Sequence, residues 1–244
     1  CTRYADINYC SAQTVINYKK ELYGPKIAGK LEHLPNSPAP WLVEPLRAVA
    51  KIPYRCVYVG DIGQQLDFKM IFSTIELLKA DFPEICLRVI GDGEKRAELE
   101  AWVKEQGYTT IQFLGHKPYG QALAEIATAT VGLALYNGNL SFDEFRDSIK
   151  VREYQALGVI PIASKTATAT ANEIALYGSG VVVENTAEDL LKSMRAIFSD
   201  RETQVEMMRA CLRNYRVYQN TFEKLHQTVQ ALKKIAVAQS SEKT

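Results

Sequence analysis

Short apolar runs rich in β-branched and aromatic residues alternate with helical stretches of about 12 to 15 residues through the middle of the chain. The runs are YRCVYVGDI (54–62), ICLRVIGDG (85–93), TIQFLGH (110–116), TVGLALYN (130–137), VIPIASK (159–165) and GVVVEN (180–185). Helices are predicted near 66–80, 94–106, 118–129, 148–157 and 187–198. Several strands are apolar nearly throughout, as expected where helices cover both faces of a sheet. The alternation therefore predicts an α/β fold with a doubly wound parallel sheet, Rossmann-like, over about 52–200. Ligands of such sheets bind beyond the carboxyl ends of the strands. Chemistry is expected in the loops 60–67, 91–94, 115–119 and 137–148.

The flanks have a different rhythm. Residues 1–40 hold an amphipathic helical run, SAQTVINYKKELYG, and reach LPNSPAPW, whose prolines read as a linker rather than a strand or helix. Residues 201–244 are helical in pattern before a polar tail, with Val205, Met208, Leu212, Tyr215, Phe222 and Leu225 roughly at helical spacing. Val229, Leu232 and Ile235 continue the series, which reads as a set of core-packing helices. The expected organisation is thus 1–40, the end of another domain with its linker, 41–200, the Rossmann-like domain, and 201–244, C-terminal helices and tail.

Composition narrows the chemistry. With 29 Lys and Arg against 28 Asp and Glu, the net charge of +1 gives no global attraction to nucleic acid or an acidic membrane surface, so any anion site is local. No uncharged apolar run reaches the roughly 18 residues of a spanning helix, and CTRYADINYC lacks the features of a signal peptide, so a cytoplasmic setting is expected. The five cysteines are scattered without a CxxC pair, which predicts reduced, mostly buried thiols and no metal centre.

The stretch DSIKVREYQALGVIPIAS (147–164) places charged residues on a helix that leads into a strand. Asp147 or Ser148 can cap it, Lys150 lies in its first turn, and Glu153 follows one turn later in a direction bracketed by Ile149, Ala156 and Leu157. A carboxylate on an apolar face needs a partner, either a protein cation or a ligand hydroxyl or amine. Two readings stay open: an i,i+3 ion pair on a solvated helix, or a nucleotide site with phosphate at the helix start beside Lys150 and a sugar diol on Glu153.

The same stretch resembles the signature of retaining glycosyltransferases of family 4, which have the GT-B fold and carry a Lys-x-x-Glu-Tyr-x-Ala-x-Gly-x-Pro-x-x-Ala-Ser pattern in their C-terminal domain. YADINYCS with LPNSPA, VYVGDI, LRVIGDGEKRAELE and IQFLGHKPYGQALAEIATATVGLALY are similar to further family segments, in family order. The resemblance covers about residues 4–200 and implies a metal-free domain, needing no cofactor, that binds a UDP-, GDP- or dTDP-sugar. In it Glu153 holds the ribose, and Ser148, Ile149 and Lys150 meet the phosphates. An acceptor, glycan or lipid, is expected on an N-terminal domain largely absent from this sequence, with peripheral membrane association of the longer protein.

Departures from the family pattern are specific. Asp61 stands where an Arg is expected after Gly60, and Lys69 matches the family Lys loosely, while Arg146 is placed to supply the missing charge. Phe145 occupies the position of the first Glu of the family's Glu-x7-Glu pair, which leaves Asp143 and Glu144 as neighbours able to contact the donor sugar. His116 lies in a loop that in the family meets the base through its backbone, and Gly63 belongs to the turn facing the phosphates. Asp92, between Gly91 and Gly93, reads as a turn residue. No GxGxxG follows a strand, which disfavours a dinucleotide oxidoreductase; a non-catalytic sugar-nucleotide-binding domain is the alternative that Asp61 and Phe145 suggest.

Overall fold

The computed structural model describes residues 4–140, 143–218, 221, 223–230 and 233. At the N-terminal end, β1 (Asn8–Cys10) leads into α1 (Gln13–Tyr23) and pairs in parallel with β2 (Leu31–His33). The proline-rich segment that follows is not wholly a linker: α2 (Pro40–Val43) starts on Pro40, whose missing N–H is no loss at the first helical position.

The predicted strands all form, each shorter than its apolar run. They are β3 (Arg55–Val59), β4 (Cys86–Ile90), β5 (Ile111–Gly115), β6 (Val131–Ala134), β7 (Ile160–Ser164) and β8 (Val181–Val183). They pair in parallel in the order β5-β4-β3-β6-β7-β8. The connecting helices are α3 (Phe68–Leu78), α4 (Arg96–Glu105), α5 (Tyr119–Ala127), α6 (Ile149–Ala156), α7 (Thr168–Tyr177), α8 (Ala187–Ser199) and α9 (Arg201–Tyr218). Helix α7 was not expected, because its Thr-Ala alternation lacks helical periodicity and threonine favours strands.

Alternation along β3 shows why the strands read as continuous apolar runs. Cys56 and Tyr58 enter a core with α3, α4, α8 and Ile174 of α7, whereas Val57 and Val59 face a second core with α2, α5, α6 and Tyr215 of α9. The chain steps outward from β3 to β5, then crosses back to β6 and continues to β8. The strand order therefore reverses between β3 and β6, the switch point where a doubly wound sheet opens a crevice.

Helix α6 is the unusual element, for Lys150 through Ala156 are all buried although four of the seven carry charge or an amide. Gly132 on β6 lets it approach: a Cβ there would overlap the Tyr154 ring, whose hydroxyl donates to Leu133 O at 3.2 Å. At the other end, Lys51 Nζ donates at 2.7 Å to both Ala127 O and Leu157 O, closing the carbonyl ends of α5 and α6 with one cation. Helix α9 packs on α6 through Tyr215, and Cys211 donates to Val159 O. Cys10, Cys56, Cys86 and Cys211 are free thiols, all but Cys86 buried.

Beyond α9 the core-packing expectation fails at Leu225 and Val229, which are 41% and 40% exposed. Their helical spacing marks a face that meets no core, and Phe222, Leu232 and Ile235 lie outside the described residues.

Gly132→Ala should cost between about 1 and 3 kcal/mol in urea unfolding, since the added methyl must displace the Tyr154 ring or α6 itself. Unchanged stability would mean that α6 is not held at contact distance from β6.

Candidate functional site

At the carboxyl ends of β3, β4 and β5 the loops form a crevice of about 410 Å³ lined by Gly60, Asp61, Gly91, Asp92, His116 and Tyr119 among others. Its floor depends on glycine. Gly60 and Gly91 both have φ of 138°, and a Cβ on Gly91 would overlap Gly60 O. The strand pairing thereby runs past the strand ends, with Gly60 N–H donating to Ile90 O and Gly91 N–H to Gly115 O, both at 2.9 Å. Asp92 closes its own turn by accepting from Gly93 N–H at 2.9 Å.

Beside this crevice, at the switch point, α6 begins. The Lys150 side chain runs under Gly60, close enough that a Cβ there would lie 3.0 Å from Nζ. The ammonium sits 4.4 Å from the Tyr58 ring centroid and 5.2 Å from that of Tyr136, a cation–π arrangement in a water-poor setting. Among the described side chains no carboxylate lies within ion-pair distance of it. Burial lowers the Lys150 pKa, but the two tyrosines outweigh it and the net direction is upward, so the ammonium persists.

Ser148 is the N-cap of α6, yet its hydroxyl caps nothing; Oγ is 3.1 Å from Tyr136 Oη, and its N–H donates to Thr170 Oγ1 at 3.2 Å. The Ile149 and Lys150 N–H groups meet no acceptor among the described residues. Both expected caps are employed elsewhere, because Asp147 accepts from Arg152 Nε and Nη2 at 3.0 and 2.8 Å and from Asn36 N–H at 2.7 Å.

Glu153 is 5% exposed, and its pKa rises to about 7 because burial outweighs a hydrogen bond from Tyr119 and the field of Lys150. The solvated i,i+3 ion pair is thereby corrected, since Lys150 is 7% exposed and neither charge reaches solvent freely. Ile149, expected on the apolar side, is instead 43% exposed; the helix is buried around the rest of its circumference, so no apolar face is needed to define its direction.

The remaining candidates fall into separate groups. Asp143 is buried and accepts from Arg146 Nε and Nη2 at 2.9 and 2.6 Å, while Arg146 Cζ stacks 4.2 Å over Tyr136. The two residues expected to meet different parts of a ligand thus meet each other. The side chain of Glu144 lies outside the described residues. Lys69 pairs with Glu98 at 3.0 Å and lies over Trp102, in a different groove of about 480 Å³ that Gly63 also lines. The structure does not bring Lys69 to Lys150. Asp61 turns its carboxylate to Gln65 Nε2 at 3.1 Å, and its carbonyl accepts from Tyr58 Oη at 2.6 Å.

Sequence reasoning missed Tyr58, near the end of β3, and Tyr136, two residues past β6, which read as ordinary strand aromatics. It also missed Arg152, which pairs with Asp147 and Glu173 and so ties α6 to α7 and, through Asn36, to the N-terminal segment. Its position between Lys150 and Glu153 suggests a solvated charge; only the distant partners reveal otherwise.

The model of the family "Glycosyl transferases group 1" matches residues 49–212. The chain belongs to this family. Among solved structures, HepE from Anabaena in complex with UDP and glucose superposes with a TM-score of 0.71 at 12% identity, over 95% of this chain and 64% of that one. Sucrose-phosphate synthase from Thermosynechococcus elongatus gives 0.69 at 18% identity, over 97% and 60%. WaaG, a glycosyltransferase involved in lipopolysaccharide biosynthesis, gives 0.66 at 15% over 89% and 60%. The group 1 chain therefore has the Rossmann-like fold of GT-B glycosyltransferase domains and spans less than two thirds of the length of these structures. No curated protein sequence matches it. Among the described residues no helix is long and apolar enough to cross a membrane, and no group of three His, Cys, Asp or Glu side chains could hold a metal ion.

A group 1 chain that keeps Glu153 buried does so at a cost in stability. Its folded pKa of about 7 lies above the ordinary 4.5, so stability is retained below 4.5 and lost as pH rises through 7. Glu153→Gln should match the wild type near pH 4.5 and exceed it by up to about 3 kcal/mol near pH 8, read from urea unfolding at each pH. A pH-independent difference would contradict the burial of the carboxylate.

Proposed function

We propose that the chain is the donor-binding domain of a retaining glycosyltransferase of family 4, transferring a hexose from a nucleotide diphosphate. The single observation that carries this reading is the pair of unmatched charges on α6: among the described residues, a buried ammonium without a carboxylate and a buried carboxylate without an ion-pair partner, one turn apart at the sheet's switch point. An anion and a diol would satisfy both at once. The family match supports the same assignment, and HepE, of the same fold, was solved with UDP and glucose.

In this reading the base enters the crevice near His116, the ribose hydroxyls bond to Glu153, and the diphosphate meets Lys150 with the N–H groups of Ile149 and Lys150. As the bond from the anomeric carbon to the phosphate oxygen breaks, its electron pair stays on the phosphate. The Lys150 ammonium and the α6 dipole are fixed beforehand, so they stabilise that growing charge without reorganising and without a metal. Arg146, gripped by Asp143 and stacked on Tyr136, adds positive potential beside them. Asp143 then serves by orienting Arg146, and Lys69 and Gly63 belong to the periphery.

UDP-, GDP- and dTDP-sugars all satisfy these contacts. The acceptor, a glycan or a lipid-linked glycan, would be met by an N-terminal domain to which β1, α1 and β2 belong, in a cytoplasmic protein that touches the membrane peripherally. Asp61, where the family carries an arginine, favours a second reading, a domain that binds sugar nucleotides without turning them over.

Isothermal titration with UDP and GDP should give saturable binding to one of them. Lys150→Met and Glu153→Ala should each weaken it at least tenfold, about 1.4 kcal/mol. Absence of binding to either diphosphate would overturn both readings, and binding unaffected by the two substitutions would move the site away from α6.

A further inference from the structure

Arg146, unlike Lys150, projects from the connection between β6 and α6 rather than from a helix. Its guanidinium is gripped by Asp143 and lies over Tyr136, and its carbonyl accepts from Thr170 Oγ1 of α7 at 2.9 Å. The residues on either side of it are held from another direction. Phe145, the last residue of the short 3-10 turn Asp143–Phe145, brings its ring to 5.2 Å from the Tyr18 ring of α1, tilted by 53°. Asp147 accepts from Asn36 N–H at 2.7 Å through its carboxylate, and Asn36 Nδ2 donates to Asp147 O at 3.0 Å. The N-terminal segment therefore grips the chain both immediately before and immediately after Arg146.

A guanidinium adds fully to the affinity for a diphosphate only if it is in place before the ligand arrives, since ordering a loop on binding subtracts from the gain. The Phe145 and Tyr18 rings stand at the separation and tilt that aromatic pairs favour. Neither ring is part of the two cores that flank the sheet, and Tyr18 is 49% exposed. Their contact thus fastens the turn to α1 without being needed to fold the sheet.

We propose that Phe145 is a positioning residue for the diphosphate: its contact with Tyr18 fixes the turn from which Arg146 projects, so that the seating of the N-terminal segment governs how firmly the guanidinium is presented. This inference rests on the donor-site reading above. It gives α1 a part in nucleotide binding although no residue of α1 meets the nucleotide in that reading. Asn36 works in the same sense from the other side, by holding Asp147.

The test titrates wild type, Phe145→Ala and Tyr18→Ala with UDP against uridine and with GDP against guanosine. Each substitution should weaken the diphosphate about fivefold and leave the nucleoside unchanged, because only the phosphates meet Arg146. The ratio of the two affinities does not depend on the fraction of folded protein. Tyr18→Phe, which keeps the ring, should bind as the wild type does. The double variant should be no weaker than either single one, and Phe145→Ala should cost nothing further in an Arg146→Met background, since the contact acts through that one side chain.

A wild type that binds neither diphosphate overturns the donor site and this inference together. A wild type that binds, with the ratio unaltered in Phe145→Ala and Tyr18→Ala, overturns the role of Phe145 alone. A loss shared equally by diphosphate and nucleoside, or one that persists undiminished beside Arg146→Met, overturns it as well.

Discussion

The structure depends on the burial of a charged helix. Removing an ammonium and a carboxylate from water costs several kcal/mol each unless the surroundings replace what water gave. Helix α6 buries both and, among the described residues, joins neither to an opposite charge at close range. Tyr58 and Tyr136 supply electron-rich faces to Lys150, and burial outweighs the groups that favour the Glu153 anion, raising its pKa to about 7. A helix selected for stability alone would carry apolar residues at these positions. The arrangement makes sense as a site held ready for a ligand that brings a negative charge and a pair of hydroxyls.

Everything around α6 serves to keep it in place. Gly132 admits the Tyr154 ring against β6, Lys51 fastens the helix C-terminus to that of α5, and Arg47 donates to Ala156 O at 3.0 Å. On the opposite side, Arg152 joins Asp147 and Glu173 in a buried network to which Asn214 of α9 donates at 3.0 Å. That network extends to Asn36, just before the core domain, so the N-terminal segment is keyed to the loop that starts α6. Rigid support of this kind is what electrostatic stabilisation of a departing group requires, since dipoles free to reorient would lose their advantage over water.

Much of the fold was legible because a parallel sheet covered on both faces leaves apolar runs that differ sharply from the helices between them. Helix α7 was hidden by two threonines in its first turn, Thr168 and Thr170, and its exit at Gly178, φ 58°, is visible only as a glycine. Within the site, Lys150 and Glu153 could be singled out because their spacing is local. Their surroundings could not: Tyr58 and Tyr136 come to Lys150 across the sheet, and Glu98 reaches Lys69 from the next helix. Asp143 and Arg146, three residues apart, were each assigned to a ligand, and the same spacing also lets them bind each other. Local spacing identifies groups that carry chemistry; long-range packing decides which of them are already occupied.

The most direct measurement is a crystal structure with UDP bound, since it locates phosphate and ribose at once. The account predicts the diphosphate against Gly60, Lys150 and the start of α6, with the ribose hydroxyls within hydrogen-bond distance of the Glu153 carboxylate. Nucleotide bound in the groove beside Lys69 and Glu98, with α6 untouched, would contradict it.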